Sequence, residues 1–226
     1  MAYTEKDLER FQKNEIKPNE TFIFSCAMCG NCCRKRSEAI LMTGADLFHA
    51  AQALGTSVEA ILPKNFEGYV GEDSHVPLYV PLYVLAERLD GSCRFLRKGK
   101  CMIQQNKPAV CALFPLGRLF DIRDNSFHYF MNPNSCNAGK AEGKTWTLEE
   151  WLDEFHIRET EAMTAAWHKL LTRLAEVTCR MKKEDICGDL LEDLRRVLYL
   201  GYDTSAPYIE QVEARIPSAL DVFKRK

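Results

Sequence analysis

The stretch FSCAMCGNCC, residues 24–33, places four cysteines within eight positions, and this density constrains the chain more than any other feature. The cysteines are Cys26, Cys29, Cys32 and Cys33. A C-x2-C spacing lets two thiolates converge on one ion, as in zinc ribbons and iron–sulfur sites. A C-x2-C-x2-C run can present three thiolates to one cluster, with a fourth arriving from elsewhere in the chain. The segment therefore predicts metal binding or redox chemistry.

The composition favours metal binding over disulfide formation. The chain has 226 residues, ten cysteines and a formal net charge of −2, and 46% of its residues are hydrophobic. Its first residues are charged throughout and lack the apolar core of a secretory signal, and its longest apolar run is too short to span a bilayer. We therefore expect a cytoplasmic protein without a membrane segment. In that compartment thiols stay reduced, and clustered thiols more often hold a metal.

The distribution of apolar residues predicts an α+β fold in two parts. Up to residue 143 it favours short helices, short strands and hairpins, with turns at Lys98–Gly99 and Asp124–Asn125. After residue 143 apolar residues recur at helical spacing, and Thr147 with Glu150 matches a capping box. We predict a cysteine-rich metal-binding module over residues 1–143 and a helical C-terminal extension, packed on it, over residues 144–226.

The adjacent pair Cys32 and Cys33 bears on the number of metal centres. Neighbouring side chains in an extended segment point to opposite sides, so two such thiolates rarely close on one tetrahedral ion without strain. We expect the pair to serve two different centres, or one of the two to pack beside a centre. Eight cysteines would then divide into two four-cysteine sites, in a partition left open by the sequence: Cys26, Cys29, Cys32, Cys33, Cys93, Cys101, Cys111 and Cys136.

Basic residues gather beside these cysteines in the sequence. Metal-bound thiolates leave about two negative charges on each four-cysteine site, and nearby cations would compensate them. A nucleic-acid-binding patch is the alternative, although the net charge gives no clear signal for nucleic acid. We favour charge compensation together with ordinary solvated surface for the set Arg34, Lys35, Arg36, Arg94, Arg97, Lys98, Lys100, Lys107 and Arg118.

Other motifs that carry chemistry are missing from the sequence. The five histidines form no H-x-H or H-E-x-x-H pattern, and no P-loop, G-x-S-x-G or G-x-G-x-x-G occurs. Cys179 and Cys187 lie in a predicted helical region at a spacing that makes a poor chelate. We interpret them as small buried or free thiols.

Three segments together resemble the CxxCxxCC cysteine-cluster family, described as a zinc- or iron-chelating domain. They are CAMCGNCC, CRFLRKGKCMIQQNKPAVCALFPL and NSCNAGKAEGKTWTLEEWL, which span about residues 21–152 and include all eight cysteines. Lys107 stands where the family has arginine before Pro108, and Asn137-Ala138-Gly139 varies the family's C-x-G element. The resemblance implies that the eight cysteines bind metal. One branch of the family includes flagellin lysine N-methylases, so the resemblance also implies an enzymatic alternative.

These observations leave three functions open. An iron–sulfur protein, of the 4Fe-4S type for example and with a redox or cluster-dependent role, is slightly favoured by the triplet Cys26, Cys29 and Cys32. A structural zinc module whose helical part binds an unknown protein partner is the first alternative. An S-adenosylmethionine-dependent protein lysine N-methyltransferase is the second, with no recognisable cofactor motif to support it. The number of centres, one or two, stays open as well.

Overall fold

The computed structural model describes residues 5–26, 29–34, 39–73, 76, 78–121, 123–132, 143–155, 157–178 and 181–224. Contacts divide the chain into two compact units, each made of two stretches separated in sequence. The cysteine unit combines Tyr3–Ala39 with Glu87–Glu161, and the helix-rich unit combines Ile40–Ala86 with Ala162–Lys226. The domain boundary that we predict from the sequence at residue 143 stays a prediction.

The fold is α+β, with short strand hairpins followed by a helical C-terminal part, as the sequence predicts. Two short 3₁₀ turns, Asn31–Cys33 and Lys183–Asp185, accompany the helices and strands. In chain order the described elements are α1 (Glu5–Lys13), β1 (Thr21–Phe24), β2 (Leu41–Met42), α2 (Gly44–Ala53), α3 (Val58–Asn65), β3 (Phe66–Glu72), β4 (Tyr79–Leu85), β5 (Leu96–Arg97), β6 (Lys100–Cys101), α4 (Ala109–Leu113), β7 (Leu116–Asp121), β8 (Ser126–Met131), β9 (Lys144–Thr147), α5 (Leu148–Glu154), α6 (Ile157–Thr178), α7 (Gly188–Tyr199) and α8 (Tyr208–Lys224).

The cysteine unit is built on three antiparallel strand pairs: β1 with β9, β5 with β6, and β7 with β8. Its core is aromatic, and the buried rings also bond to the backbone. Trp146 lies opposite Phe22 in the register of β1 and β9, and its indole N–H donates to the Phe24 carbonyl at 2.8 Å. Trp151 on α5 donates in the same way to the Leu113 carbonyl of α4, at 3.1 Å. The Trp151 bond fixes α4, which carries Cys111, to the aromatic core.

The helix-rich unit contains the antiparallel sheet β2-β4-β3 and most of the C-terminal helices. Helix α7 contacts both β4 and α8, and the Tyr199 hydroxyl at its end donates to the Pro81 carbonyl at 2.8 Å. Leu171 of α6, Leu194 of α7 and Val212 of α8 are completely buried. The apolar stripes predicted from helical spacing thus form the core of this unit. Among the described helices, none is long and apolar enough to cross a membrane.

Several local predictions are confirmed. Thr147 and Glu150 form the predicted capping box at the start of α5, and the structure has a second box, formed by Thr43 and Asp46, at the start of α2. The hairpin turns predicted at Lys98–Gly99 and Asp124–Asn125 join β5 to β6 and β7 to β8. Residues such as Asn and Gly tolerate the positive φ angles of such turns, which is why the turns are readable from sequence.

Three local predictions are wrong or incomplete. Proline is expected to end this helix at Leu62, but α3 continues through Pro63 to Asn65. Pro63 has no backbone N–H, so its position lacks an intrahelical hydrogen bond. Strand β3 was not predicted. Its residues are mostly exposed and include two glycines, so the sequence lacks a strand pattern, and the strand depends on its pairing with β4. Strand β9 was also missed, because it pairs with β1 more than 120 residues earlier.

Candidate metal centre

The first cysteine segment follows β1 and ends in the 3₁₀ turn Asn31–Cys33. Gly30 precedes this turn with a φ of 73°, a left-handed conformation that glycine adopts at low energy. The Cys33 amide donates to the Gly30 carbonyl at 3.0 Å, which closes the turn. Cys26, Cys29 and Cys32 are exposed and Cys33 is half-buried. The glycine between the cysteines therefore folds the segment back on itself.

The turn places the sulfurs of Cys32 and Cys33 3.9 Å apart. The expectation of opposite directions assumed an extended segment, whereas consecutive side chains of a 3₁₀ helix are separated by about a third of a turn. Two thiolates on one tetrahedral zinc ion, with zinc–sulfur bonds of about 2.3 Å, lie roughly 3.8 Å apart. The geometric reason for assigning the two cysteines to separate centres is thus removed. Their assignment to one or two centres stays a prediction.

The second cysteine segment is bound to the first by backbone hydrogen bonds. The Cys93 amide donates to the Cys33 carbonyl at 2.8 Å, and Arg34 forms an isolated antiparallel bridge with Ser92. The Arg88 guanidinium donates to the Cys93 and Arg94 carbonyls, which holds the loop around Cys93 in place. Cys93 is buried and lies next to the 3₁₀ turn as a result.

Cys101 and Cys111 complete the described part of the cysteine cluster. Cys101 lies on β6 opposite Leu96, and Cys111 lies on α4, where its amide donates to the Pro108 carbonyl at 2.8 Å. Both are half-buried. Backbone amides also reach the sulfurs, since the Phe95 amide donates to Cys93 Sγ at 3.4 Å and the Ile103 amide bonds to the Cys101 sulfur. Such N–H bonds stabilise a thiolate, as metal binding requires.

The thiols influence one another's ionisation. The hydrogen bond between the pair raises the pKa of Cys32 and lowers the pKa of Cys33, so Cys33 is the first of the two to ionise. Burial and the charges of Cys93, Cys111 and Cys101 oppose the lowering of the Cys33 pKa. Burial raises the pKa of Cys101, with the charges of Cys93 and Cys26 adding to the effect. Sulfurs from the first two cysteine segments therefore lie within electrostatic range of one another.

The positive charge of Lys107 partly offsets the rise in the pKa of Cys32 and the rise in the pKa of Cys101. This supports the charge compensation that we predict for the basic residues, in the case of this lysine. Arg118 belongs elsewhere in the unit: its guanidinium lies 4.7 Å from the Phe127 ring centroid, and its charge lowers the pKa of Glu161.

Of the eight candidates, Cys26, Cys32, Cys33, Cys93, Cys101 and Cys111 lie within electrostatic range of at least one other cysteine, and Cys29 lies in the loop of Cys26 and Cys32. All the cysteines in the described part of the chain are free thiols. Within that part, no group of three or more His, Cys, Asp or Glu side chains is arranged to hold a metal ion. Cys136 lies outside the described residues, as does Cys179, and the ligand set remains a prediction. Cys187 is exposed, consistent with a free thiol.

The supporting residues were less readable from the sequence than the cysteines themselves. Gly30 could have been found, because a glycine between two cysteine pairs suggests a left-handed turn. Arg88 gave no signal, because the carbonyls that it binds come together only when the loop folds. His128, on the hairpin of β7 and β8, lies 3.2 Å from a carboxylate oxygen of Glu15.

Comparison with known proteins identifies the family of this chain. A family model named CxxCxxCC, with the description "Putative zinc- or iron-chelating domain", matches residues 25–137, half of the sequence. Neither the curated proteins nor the solved structures include a match. The matched range holds the 3₁₀ turn, the loop around Cys93, the hairpin of β5 and β6, and helix α4. The chain belongs to the CxxCxxCC family.

Proposed function

We propose that the cysteine unit binds zinc or iron through thiolates, and that Cys32 and Cys33 are ligands of the same metal ion. The observation that supports this most directly is the 3.9 Å separation of their sulfurs. That separation is close to the roughly 3.8 Å expected for two thiolates on one tetrahedral ion. The backbone bond between Cys93 and Cys33, and the electrostatic influence of Cys93, Cys101 and Cys111 on Cys33, support these three cysteines as further ligands. Their side chains would rotate to complete the coordination sphere.

The shared ion favours a mononuclear zinc centre, or a two-iron cluster in which each iron takes two cysteines. In a four-iron cluster with four cysteine ligands, each iron takes one thiolate. Iron and sulfide atoms then separate the cysteine sulfurs, which lie farther apart than two sulfurs on one ion. The Cys32–Cys33 geometry therefore supports zinc as the first candidate, with a structural role in joining segments distant in sequence.

An iron–sulfur centre with a redox role is the second candidate. It is supported by the C-x2-C-x2-C run of Cys26, Cys29 and Cys32 and by the exposure of these side chains. The methyltransferase alternative rests on the family resemblance. Calorimetry with S-adenosylmethionine decides it, since an enzyme of this kind must bind that cofactor.

Metal analysis of the anaerobically purified full chain tests the proposal. We expect bound zinc, or iron with an equal amount of sulfide for an iron–sulfur cluster, retained through gel filtration. A visible absorption spectrum separates the colourless zinc form from a coloured cluster. Four irons and four sulfides per chain would contradict the sharing of one ion by Cys32 and Cys33. A folded chain that takes up neither metal would overturn metal binding itself.

Serine substitutions distinguish one shared ion from two separate centres. If Cys32 and Cys33 hold the same ion, Cys32→Ser, Cys33→Ser and the double variant each release the same equivalent of metal. If the two cysteines serve different centres, the double variant releases the sum of the two single losses. Cys187→Ser is the matched control, because Cys187 is an exposed thiol outside the family match and should leave the metal content unchanged.

A further inference from the structure

The hairpin of β5 and β6 carries three cations at its tip, Arg97, Lys98 and Lys100, here called the basic tip. All three side chains are exposed. Within the described residues, none of the three forms an ion pair with a carboxylate. Residues 92–120 contain no aspartate or glutamate, so the neighbouring chain supplies no counter-charge. Among the residues that the structure describes, the basic tip is therefore a concentration of positive charge without a carboxylate partner.

Thiolate compensation does not explain this charge. In the register of the hairpin Arg97 lies opposite Lys100, while Leu96 lies opposite Cys101. Side chains alternate between the two faces of a strand, so Arg97 and Lys100 occupy the face opposite that of Cys101. Two of the three cations therefore point away from the sulfur that the same hairpin contributes to the cysteine cluster.

The arrangement also opposes stability in two ways. Like charges directly opposite one another in an antiparallel pair are destabilising, and Arg97 and Lys100 hold such positions. Lys98 adopts a φ of 47° and Gly99 a φ of 78°. A turn with positive φ at both central residues favours Asn-Gly or Asp-Gly, and a lysine there carries a strain of about 1 kcal/mol or more. Folding alone would favour asparagine at position 98, which suggests that the cation serves binding.

We propose that the basic tip is a docking surface for an acidic segment of a protein partner, in which two or three carboxylates lie at consecutive or alternate positions. Exposed cations without counter-charges attract such a segment and orient it during association. Met102, next to Cys101, is 50% exposed and offers the apolar contact that protein interfaces favour. Phe95, the aromatic residue of this hairpin, is 1% exposed, so its ring is not accessible for stacking on nucleic acid bases. Protein is therefore the occupant that these observations favour over nucleic acid.

Fluorescence anisotropy with a labelled oligo-glutamate probe tests the proposal on the full chain as purified, with its metal. We expect binding that weakens as ionic strength rises, because exposed charge pairs are screened by salt. Lys98→Asn should weaken binding about threefold and the double variant Arg97→Gln/Lys100→Gln about tenfold, the range for losing one or more exposed ion pairs. Lys64→Gln, at an exposed lysine of α3 in the helix-rich unit, should bind as the unaltered chain does.

Lys98→Asn keeps the test clear of folding defects, because asparagine suits the left-handed turn position and should preserve or raise stability. Metal content measured on each variant separates loss of docking from loss of the metal centre. The proposal is overturned if oligo-glutamate does not bind, or if Lys64→Gln weakens binding as much as Lys98→Asn. It is also overturned if a single-stranded or duplex DNA probe binds more tightly than oligo-glutamate with the same dependence on the basic tip.

Discussion

Trp151 shows how a single side chain supports the cysteine unit. It is 2% exposed, and its ring packs edge-on against Phe22 and Trp146, with centroids 5.5 Å and 5.2 Å away. Its indole N–H bonds to the last residue of α4, the helix of Cys111. The residue therefore combines apolar burial with a polar bond that positions a candidate ligand.

Replacing Trp151 should destabilise the protein in two steps. Trp151→Phe retains a ring but leaves the buried Leu113 carbonyl without its donor, at a cost of about 1–3 kcal/mol. Trp151→Ala also opens a cavity and should cost about 3–5 kcal/mol. Urea denaturation measures both. Ile23→Ala is the control, because Ile23 on β1 is 52% exposed and its loss should cost about 0.5 kcal/mol or less. Equal losses for Trp151→Ala and Ile23→Ala would contradict this account.

Glu161 should make stability depend on pH. Burial raises its pKa, and the nearby charge of Arg118 opposes this without reversing it. The folded state therefore binds the proton more tightly than the unfolded state does. As pH rises above the pKa that Glu161 has in the unfolded chain, its carboxyl increasingly lowers the free energy of unfolding. We expect Glu161→Gln to raise the melting temperature near pH 7 and to change it little near pH 4.

Thermal scans at the two pH values check the sign of this effect. Glu159→Gln is the matched control on the same helix, because the Glu159 side chain is exposed. If Glu161→Gln raised the melting temperature more at about pH 4 than at about pH 7, the predicted pH dependence would be wrong.

At the scale of elements, the start of α2 illustrates how a close approach depends on a missing side chain. Thr43 caps the helix through its box with Asp46, and Gly44 is the first helical residue. A Cβ atom on Gly44 would lie 2.5 Å from the Trp167 ring and 2.7 Å from the Tyr208 hydroxyl. Glycine at this position therefore lets α2 pack against rings carried by α6 and α8.

Gly44→Ala should destabilise the protein by about 1–3 kcal/mol through overpacking. A loss of stability would be informative, because helix propensity alone predicts that alanine stabilises a helix relative to glycine. In a Trp167→Phe background the smaller ring should reduce this loss, so the two substitutions should be coupled in a double-mutant cycle. Chemical denaturation of the four chains gives the coupling. Stabilisation by Gly44→Ala, or strict additivity, would show that the contact does not limit packing.

At the scale of the whole molecule, the two compact units differ in what stabilises them. The helix-rich unit has a core of fully buried aliphatic side chains on α2, α6, α7 and α8, among them Leu47, Leu171, Leu194 and Val212. The cysteine unit joins several short elements and holds every described cysteine of the family match. Short two-stranded pairs are marginally stable by themselves. A metal centre would supply the cross-links that this unit needs.

Removing the metal should therefore affect the two units unequally. After treatment with a chelator, amide hydrogen exchange should accelerate in Tyr3–Ala39 and Glu87–Glu161, by an amount set by the lost binding energy. Amides of α7 and of the sheet β2-β4-β3 should keep most of their protection. Exchange measured by mass spectrometry resolves the segments. Equal acceleration in both units would show that they unfold together, and no acceleration in either would argue against a stabilising metal.

Some features were determined by the sequence because their causes are local. Capping boxes need two residues three positions apart, and hairpin turns need residues that tolerate positive φ. These signals located α2, α5 and the turns at Gly99 and Asn125. The density of cysteines likewise indicated a thiolate cluster, and the family match supports zinc or iron chelation.

Only the tertiary structure decided which distant groups meet. Strands β3 and β9 depend on partners elsewhere in the chain, and the position of Cys93 beside Cys33 depends on a bond between their backbones. The direction of the Cys32 and Cys33 side chains depends on a 3₁₀ turn, which the pattern of cysteines does not specify. A sequence states which ligands are available. Backbone conformation and long-range pairing determine which of them can share one ion, because coordination depends on distances of a few ångströms.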